Sequence, residues 1–231
     1  MKIPGRLGNL LNECGRLLQV ALDFIDPWKA LETGIISLVG KPVILEAGTP
    51  LIKSYGMQSV KMLASIPGVN AVVADTKTMD TGKLETELAA SYGADVVTVL
   101  SVAPDETIRS MVKTGEDLGV AVYGDLIGHP EPIKRAEQLW ELGVHVALFH
   151  IGIDLQEKLG LSAGERIETV KRLKEVFPGP IAVAGGIKPG EVSDLSEAGA
   201  DIIIIGGAIT RAENPRKAAL EAYQRLGSRC S

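Results

Sequence analysis

Eight short apolar runs punctuate this 231-residue chain at nearly regular intervals: Leu18 to Leu22, Pro42 to Leu45, Ala71 to Ala74, Val96 to Leu100, Val120 to Tyr123, Val146 to Phe149, Ile181 to Ala184 and Ile202 to Ile205. Each has the length and β-branched character of a buried strand. The stretches between them, such as Pro132 to Leu142 and Gly164 to Phe177, repeat apolar residues every three or four positions, as helices require. Strand then helix, eight times over, predicts a single (β/α)8 TIM barrel over residues 18–231, behind a short amphipathic extension at residues 1–17. A chain of this length, 45% hydrophobic and with no visible linker, can bury one large core. The turns Gly93-Ala94-Asp95 and Gly199-Ala200-Asp201, with Gly143-Val144, read as helix C-caps that lead into the next strand.

The polar residues fall where such a barrel does chemistry. Asp23 follows the first apolar run, Glu46 the second, Asp75 and Lys77 the third, Asp125 the fifth and His150 the sixth. All lie at C-terminal strand ends, the face on which these barrels build their active sites. Side chains alternate with period two, so Asp75 and Lys77 project to the same side where the apolar strand stops, and Asp80 follows in the connection. A lone D-x-K pair would read as a surface salt bridge. Several carboxylates gathered around one lysine cost free energy unless they are paired or bind a cation, so function is the economical explanation. Glu46 and Asp75 are hard oxygen donors suited to Mg²⁺, with Mn²⁺ an alternative. Asp23 and Asp80 are expected to flank Lys77 and keep it charged.

A second signal comes from the last two strands. Ala184-Gly185-Gly186-Ile187 closes strand seven, and Gly206-Gly207-Ala208-Ile209 closes strand eight and opens a helical turn. Glycines let backbone N–H groups approach a ligand closely, and barrels commonly hold phosphate after strands seven and eight. Gly185, Gly186, Gly206 and Gly207 are therefore the candidate phosphate-binding positions. Tight turns that merely need glycine are the competing explanation.

Several function classes are disfavoured. The net charge of −5, with both signs interspersed, leaves no basic stripe for a nucleic-acid backbone. No run reaches about 18 apolar residues and no apolar core follows a basic start, so neither a membrane span nor secretion is expected. Cys14, in a helical stretch, and Cys230, in the terminal tail, lack metal-site spacing and are too few for a disulfide framework. They are expected to be free thiols of a cytoplasmic protein.

Taken in order, Leu18 to Asp23, Glu46 to Ile52, Ala74 to Gly82, His150 to Gln156, Ala184 to Ile187 and Gly206 to Thr210 resemble the 3-hexulose-6-phosphate synthase family, within the orotidine-monophosphate-decarboxylase superfamily. The resemblance runs from Leu18 to the C-terminus. It implies a reversible, Mg²⁺-dependent aldol condensation of formaldehyde with D-ribulose 5-phosphate through an enediolate. Glu46 and Asp75 would bind the metal, Lys77 would stabilise the oxyanion, and His150 would move the C1 proton. His129 and His145 would be structural or exposed. Asp80 would reach across a homodimer interface into the neighbouring subunit's site.

The 3-keto-L-gulonate-6-phosphate decarboxylases share Asp23, Glu46, Asp75, Lys77, Asp80 and His150. They typically carry arginines where this chain has Gly207 and Ile153. Orotidine-monophosphate decarboxylases keep the strand-eight arginine as well and usually have isoleucine where this chain has Thr81. A non-catalytic sugar-phosphate-binding barrel is the alternative from outside enzymology, and the apparently complete constellation counts against it.

Overall fold

A computed structural model describes residues 2–152 and 163–230. The eight parallel strands β1 (Leu17–Leu22), β2 (Val43–Ala47), β3 (Ala71–Thr78), β4 (Val96–Leu100), β5 (Ala121–Asp125), β6 (Val146–His150), β7 (Ile181–Ala184) and β8 (Ile202–Ile205) close into a barrel in sequence order, with β8 pairing β1. The expected (β/α)8 architecture is thus the observed one. Helices such as Pro27–Ser37, Gly82–Ser91, Asp105–Leu118, Pro132–Glu141, Ala163–Val176 and Pro215–Arg225 surround it.

Strand parity divides the core into two compartments. Leu18, Val20 and Leu22 of β1, with Val43, Leu45 and Ala47 of β2, point outward and pack beneath the helices. Leu17 and Ala21, with Ile44, Val73, Tyr123 and Ile204, point inward and fill the barrel interior. This is the layered filling that keeps such a barrel a packed core and not a pore. Asp23, Glu46, Asp75, Lys77, Asp125 and His150 all continue the inward parity of their strands. The alternation that buries the apolar residues therefore also aims these groups at the barrel mouth.

Three cap glycines hold the left-handed conformation expected of them: Gly93 at φ 91°, Gly143 at φ 89° and Gly199 at φ 110°. The following aspartates brace neighbouring strands. Asp95 accepts the Val72 N–H at 2.9 Å and Asp201 accepts the Ile181 N–H at 2.8 Å.

The third strand differs from its expected form. It does not stop at Ala74 but continues to Thr78, with a register shift against β4 between those residues and Lys77 held at φ 46°. Thr98 of β4 explains the continuation, since its hydroxyl accepts the Lys77 N–H at 2.9 Å and replaces a regular ladder bond.

The two cysteines are not free thiols. Cys14 and Cys230 form a disulfide across 216 residues of sequence, with Cα atoms 4.8 Å apart. The reason is topological. The N-terminal helix Gly5–Cys14 inserts Leu7 and Leu10 into the barrel-interior cluster near the strands' N-terminal ends, and the terminal tail returns to the same place. Arg229 donates from its backbone N–H to Cys14 O and from Nη2 to Asn12 O, each at 2.9 Å, locking the two chain ends together.

Candidate active site

The site is built around Asp75, which is 4% exposed and held on both carboxylate oxygens. The Thr98 hydroxyl donates to Oδ1 at 2.8 Å, while Thr49 Oγ1 and Lys77 Nζ lie 2.7 Å and 2.6 Å from Oδ2. Burial by itself would raise this carboxyl's pKa. The Lys77 charge, with the bonds from Lys77, Thr49 and Thr98, outweighs burial and holds it below the ordinary aspartate value.

Lys77 is also near Asp125 Oδ2, at 3.7 Å. Burial would lower the ammonium pKa, but Asp75 and then Asp125 more than offset it, so Lys77 stays charged. Its carboxylate partners differ from those expected. Asp75 and Asp125 form its ion pairs; Asp23 and Asp80 do not. Asp125 lies across the barrel interior on β5, a closeness that strand order shows and linear spacing does not.

Asp125 is fully buried and uses both oxygens. Oδ1 accepts the Ile127 N–H at 2.9 Å, and Oδ2 lies 3.2 Å from His150 Nδ1. A carboxylate can only accept, so Nδ1 is the donor in this contact, and in the neutral ring that makes Nε2 the acceptor. His150 is thereby joined to Lys77 through one aspartate.

Glu46 stands on β2 with 8% of its surface exposed. Gln19 Nε2 donates to its Oε2 at 2.6 Å, and Tyr123 in turn donates its hydroxyl to Gln19 Oε1 at 3.3 Å. Burial, and then the charges of Asp75 and Asp23, push the Glu46 carboxyl well above its ordinary pKa despite that bond. Asp23 stands at the open mouth. Partial desolvation by the surrounding loops, and then Asp75, raise its carboxyl as well, against the pull of Lys77, His150 and Arg211. Its Oδ1 would lie 2.1 Å from a Cβ placed on Gly48, so this carboxylate needs a glycine at the end of β2.

Asp23, Glu46, Asp75 and Asp125 together exceed the positive charge that Lys77 supplies. A divalent cation between Glu46 and Asp75 would relieve that excess. Among the described residues no group of three or more His, Cys, Asp or Glu side chains is arranged to enclose a metal. Mg²⁺ asks for less, because it keeps several waters and takes only one or two carboxylates. The donor set fits it.

Asp80 stands apart from this cluster. It is exposed, and its Oδ1 accepts the Thr81 N–H at 2.7 Å at the start of helix Gly82–Ser91. The glycine loops are where they were expected. Gly185 at φ 104° could take no side chain, since its Cβ would lie 2.3 Å from Ile151 O, and Gly186 follows at φ 65°. Gly206 and Gly207 lead from β8 into the turn Gly207–Thr210. Ile153, and with it part of the motif His150 to Gln156, falls outside the described residues.

His145 has a structural place, as anticipated. It is buried at the start of β6, where Nδ1 accepts the Val122 N–H at 3.0 Å. Sequence reasoning missed Gln19, Thr49, Thr98 and Tyr123 as supports of the site. The signal for Gln19 and Thr98 was their inward parity, polar residues at positions otherwise filled by apolar ones.

Residues 16–222 match the family model described as orotidine 5'-phosphate decarboxylase / HUMPS family, and the chain belongs to that family of enzymes. It is 37% identical over 214 residues to the 3-hexulose-6-phosphate synthase of Mycobacterium gastri, covering 88% of this chain and 96% of that one. A crystal structure of 3-hexulose-6-phosphate synthase superposes with a TM-score of 0.84 at 36% identity, covering 91% of this chain and 99% of that one. KGPDC from Streptococcus mutans gives a TM-score of 0.82 at 28% identity, covering 91% of this chain and 97% of that one.

Proposed function

We propose that this enzyme condenses formaldehyde with D-ribulose 5-phosphate to D-arabino-hex-3-ulose 6-phosphate, reversibly and with Mg²⁺. The relay Lys77–Asp125–His150 beside the Glu46 and Asp75 carboxylates carries this reading. His150 Nε2, freed for basicity because Nδ1–H faces Asp125, takes a proton from C1 of the pentulose. The charged Lys77 ammonium stabilises the oxyanion of the resulting enediolate. C1 then attacks the formaldehyde carbon, a C–C bond forms, and the proton lifted from C1 passes to the former formaldehyde oxygen. Bound between Glu46 and Asp75, Mg²⁺ would supply Lewis-acid stabilisation of negative charge on the sugar oxygens. Backbone N–H groups of the Gly185-Gly186 and Gly206-Gly207 loops would receive the phosphate.

In this reading the enzyme is a cytoplasmic homodimer with shared active sites. Asp80 is exposed next to Met79, and Leu84 and Leu88 lie one turn apart on the adjoining helix, all three exposed apolar residues. A second copy seated there would cover them and bring Asp80 into its own site.

The test is turnover of two substrates by the Mg²⁺-loaded protein. Formaldehyde loss with ribulose 5-phosphate, abolished by chelator and restored by Mg²⁺, is expected; 3-keto-L-gulonate 6-phosphate should be decarboxylated far more slowly. Glu46→Gln should weaken Mn²⁺ binding measured by electron paramagnetic resonance without unfolding the chain. Faster decarboxylation than condensation would assign the site to the other branch, and full condensation in excess chelator would remove the metal.

A further inference from the structure

Gly207 leaves a space, and Arg211 fills it. The chain after β8 makes one helical turn in which the Arg211 N–H donates to Gly207 O at 3.1 Å, so residues 207 and 211 lie on the same face. A Cβ built on Gly207 would meet Arg211 Nη2 at 2.1 Å, Cζ at 2.5 Å and Nη1 at 2.9 Å. The guanidinium thus lies back against the backbone of the glycine loop while Arg211 stays exposed. The backbone at Gly207 does not have positive φ, so a side chain there would compete only with the guanidinium, the movable end of Arg211, for that space.

The loop it lies against borders the site. Next to Gly207, a Cβ on Gly206 would lie 3.5 Å from Asp23 Oδ2, and Arg211 is among the charges that Asp23 feels. Arg211 is exposed, and among the described residues no carboxylate lies within ion-pair distance of it. Lys77, by contrast, already has Asp75 and Asp125 as partners. A planar fork of donors held against a glycine loop at the barrel mouth, with no anion of its own among the described residues, has the chemistry of a phosphate clamp.

We propose that Arg211 grips the phosphate of the sugar phosphate, with Gly207 kept free of a side chain so that the guanidinium can lie across the loop. This rests on the reading that the glycine loops after β7 and β8 receive that phosphate. Arg211 would add a bidentate, charge-assisted partner to backbone donors and would select phosphorylated over unphosphorylated pentulose. It touches the end of the substrate remote from C1, so its loss should act on binding more than on the chemical step.

The experiment measures KM and kcat for D-ribulose 5-phosphate, and the inhibition constant of inorganic phosphate, in wild type and four variants whose folding is checked by circular dichroism. Arg211→Ala should raise both KM and the phosphate inhibition constant by roughly 10- to 100-fold, the effect of losing a hydrogen-bonded charge, with kcat within about threefold. Arg211→Lys should recover only part of the loss, because an ammonium lacks the fork. Gly207→Arg added to Arg211→Ala returns a guanidinium to the same space and should restore much of the affinity. Gly206→Val is the control for the loop itself. If Gly206→Val weakens phosphate binding but Arg211→Ala does not, the loop holds the phosphate and the Arg211 proposal is overturned. If neither variant changes KM or phosphate inhibition, the glycine-loop reading fails with it. Loss of kcat at unchanged KM in Arg211→Ala would also contradict the clamp.

Discussion

His150 Nδ1 lies 3.2 Å from Asp125 Oδ2, and that contact makes Nε2 the ring nitrogen not engaged by Asp125. The same oxygen is 3.7 Å from Lys77 Nζ, so one buried carboxylate serves both the candidate base and the candidate oxyanion partner. Asp125→Asn preserves shape but can present an N–H where Nδ1–H now donates, which favours the wrong tautomer. We expect kcat to fall by about 100-fold or more, with the fold retained. Activity within a few-fold of wild type would remove Asp125 from the relay.

The separation of Asp80 from the Lys77 cluster leads to a subunit-mixing experiment. If Lys77 acts in its own barrel and Asp80 in its partner's, a mixed dimer of Lys77→Ala and Asp80→Ala chains has one site defective in both residues and one intact. Two inactive proteins should then regain roughly a quarter of wild-type activity after random exchange, since about half the dimers are mixed and each has one working site. Native mass spectrometry checks the exchange. Mixed dimers with no activity above the parents would contradict the shared site.

His145 makes acid stability measurable at a place remote from the chemistry. Its Nδ1 accepts a backbone N–H, its buried Nε2 finds no acceptor among the described residues, and burial lowers its pKa from 6.5 to about 4. The unfolded chain therefore binds this proton first, and the neutral ring's contribution to stability is complete above about pH 6.5. It is lost as pH falls toward 4, up to about 3 kcal/mol. Glu46 and Asp23, whose carboxyls are raised, act in the opposite sense, so the informative quantity is a difference between proteins. His145→Asn, which keeps an acceptor for Val122, should be stabilised relative to wild type as pH falls from 6.5 to 4, whatever the sign of the wild-type slope. Identical slopes would contradict this account of His145.

Reduction tests the closure of the two chain ends. The Cys14–Cys230 bridge spans nearly the whole chain, and cross-links of long loops typically contribute about 2–4 kcal/mol by restricting the unfolded state. Urea unfolding with and without reductant should show a lower midpoint on reduction, and Cys230→Ser should be insensitive to reductant. An unchanged midpoint in the wild type would mean that the hydrogen bonds of Arg229 suffice to hold the tail.

Much of this was legible in the sequence because barrel geometry follows period-two patterns. The apolar parity of β1 through β8 places Asp23, Glu46, Asp75, Lys77 and His150 inward without any knowledge of contacts. What stayed hidden depends on distances between strands and not along them. The pairing of Lys77 with Asp125 needs β3 and β5 placed around one closed interior, and the register shift in β3 needs the Thr98 hydroxyl of its neighbour. The disulfide was missed for the same reason, as no local signal joins Cys14 to Cys230. Arg211 lies only four residues beyond Gly207, yet its return over the loop depends on the turn that follows β8.

The most direct measurement uses [¹³C]formaldehyde with ribulose 5-phosphate, Mg²⁺ and the wild-type protein, followed by carbon NMR. Label should leave the formaldehyde signal and appear at C1 of a hex-3-ulose 6-phosphate, and Lys77→Ala and His150→Asn should each suppress its appearance. Label that stays in formaldehyde under these conditions, with folded and metal-loaded protein, would contradict the proposed condensation.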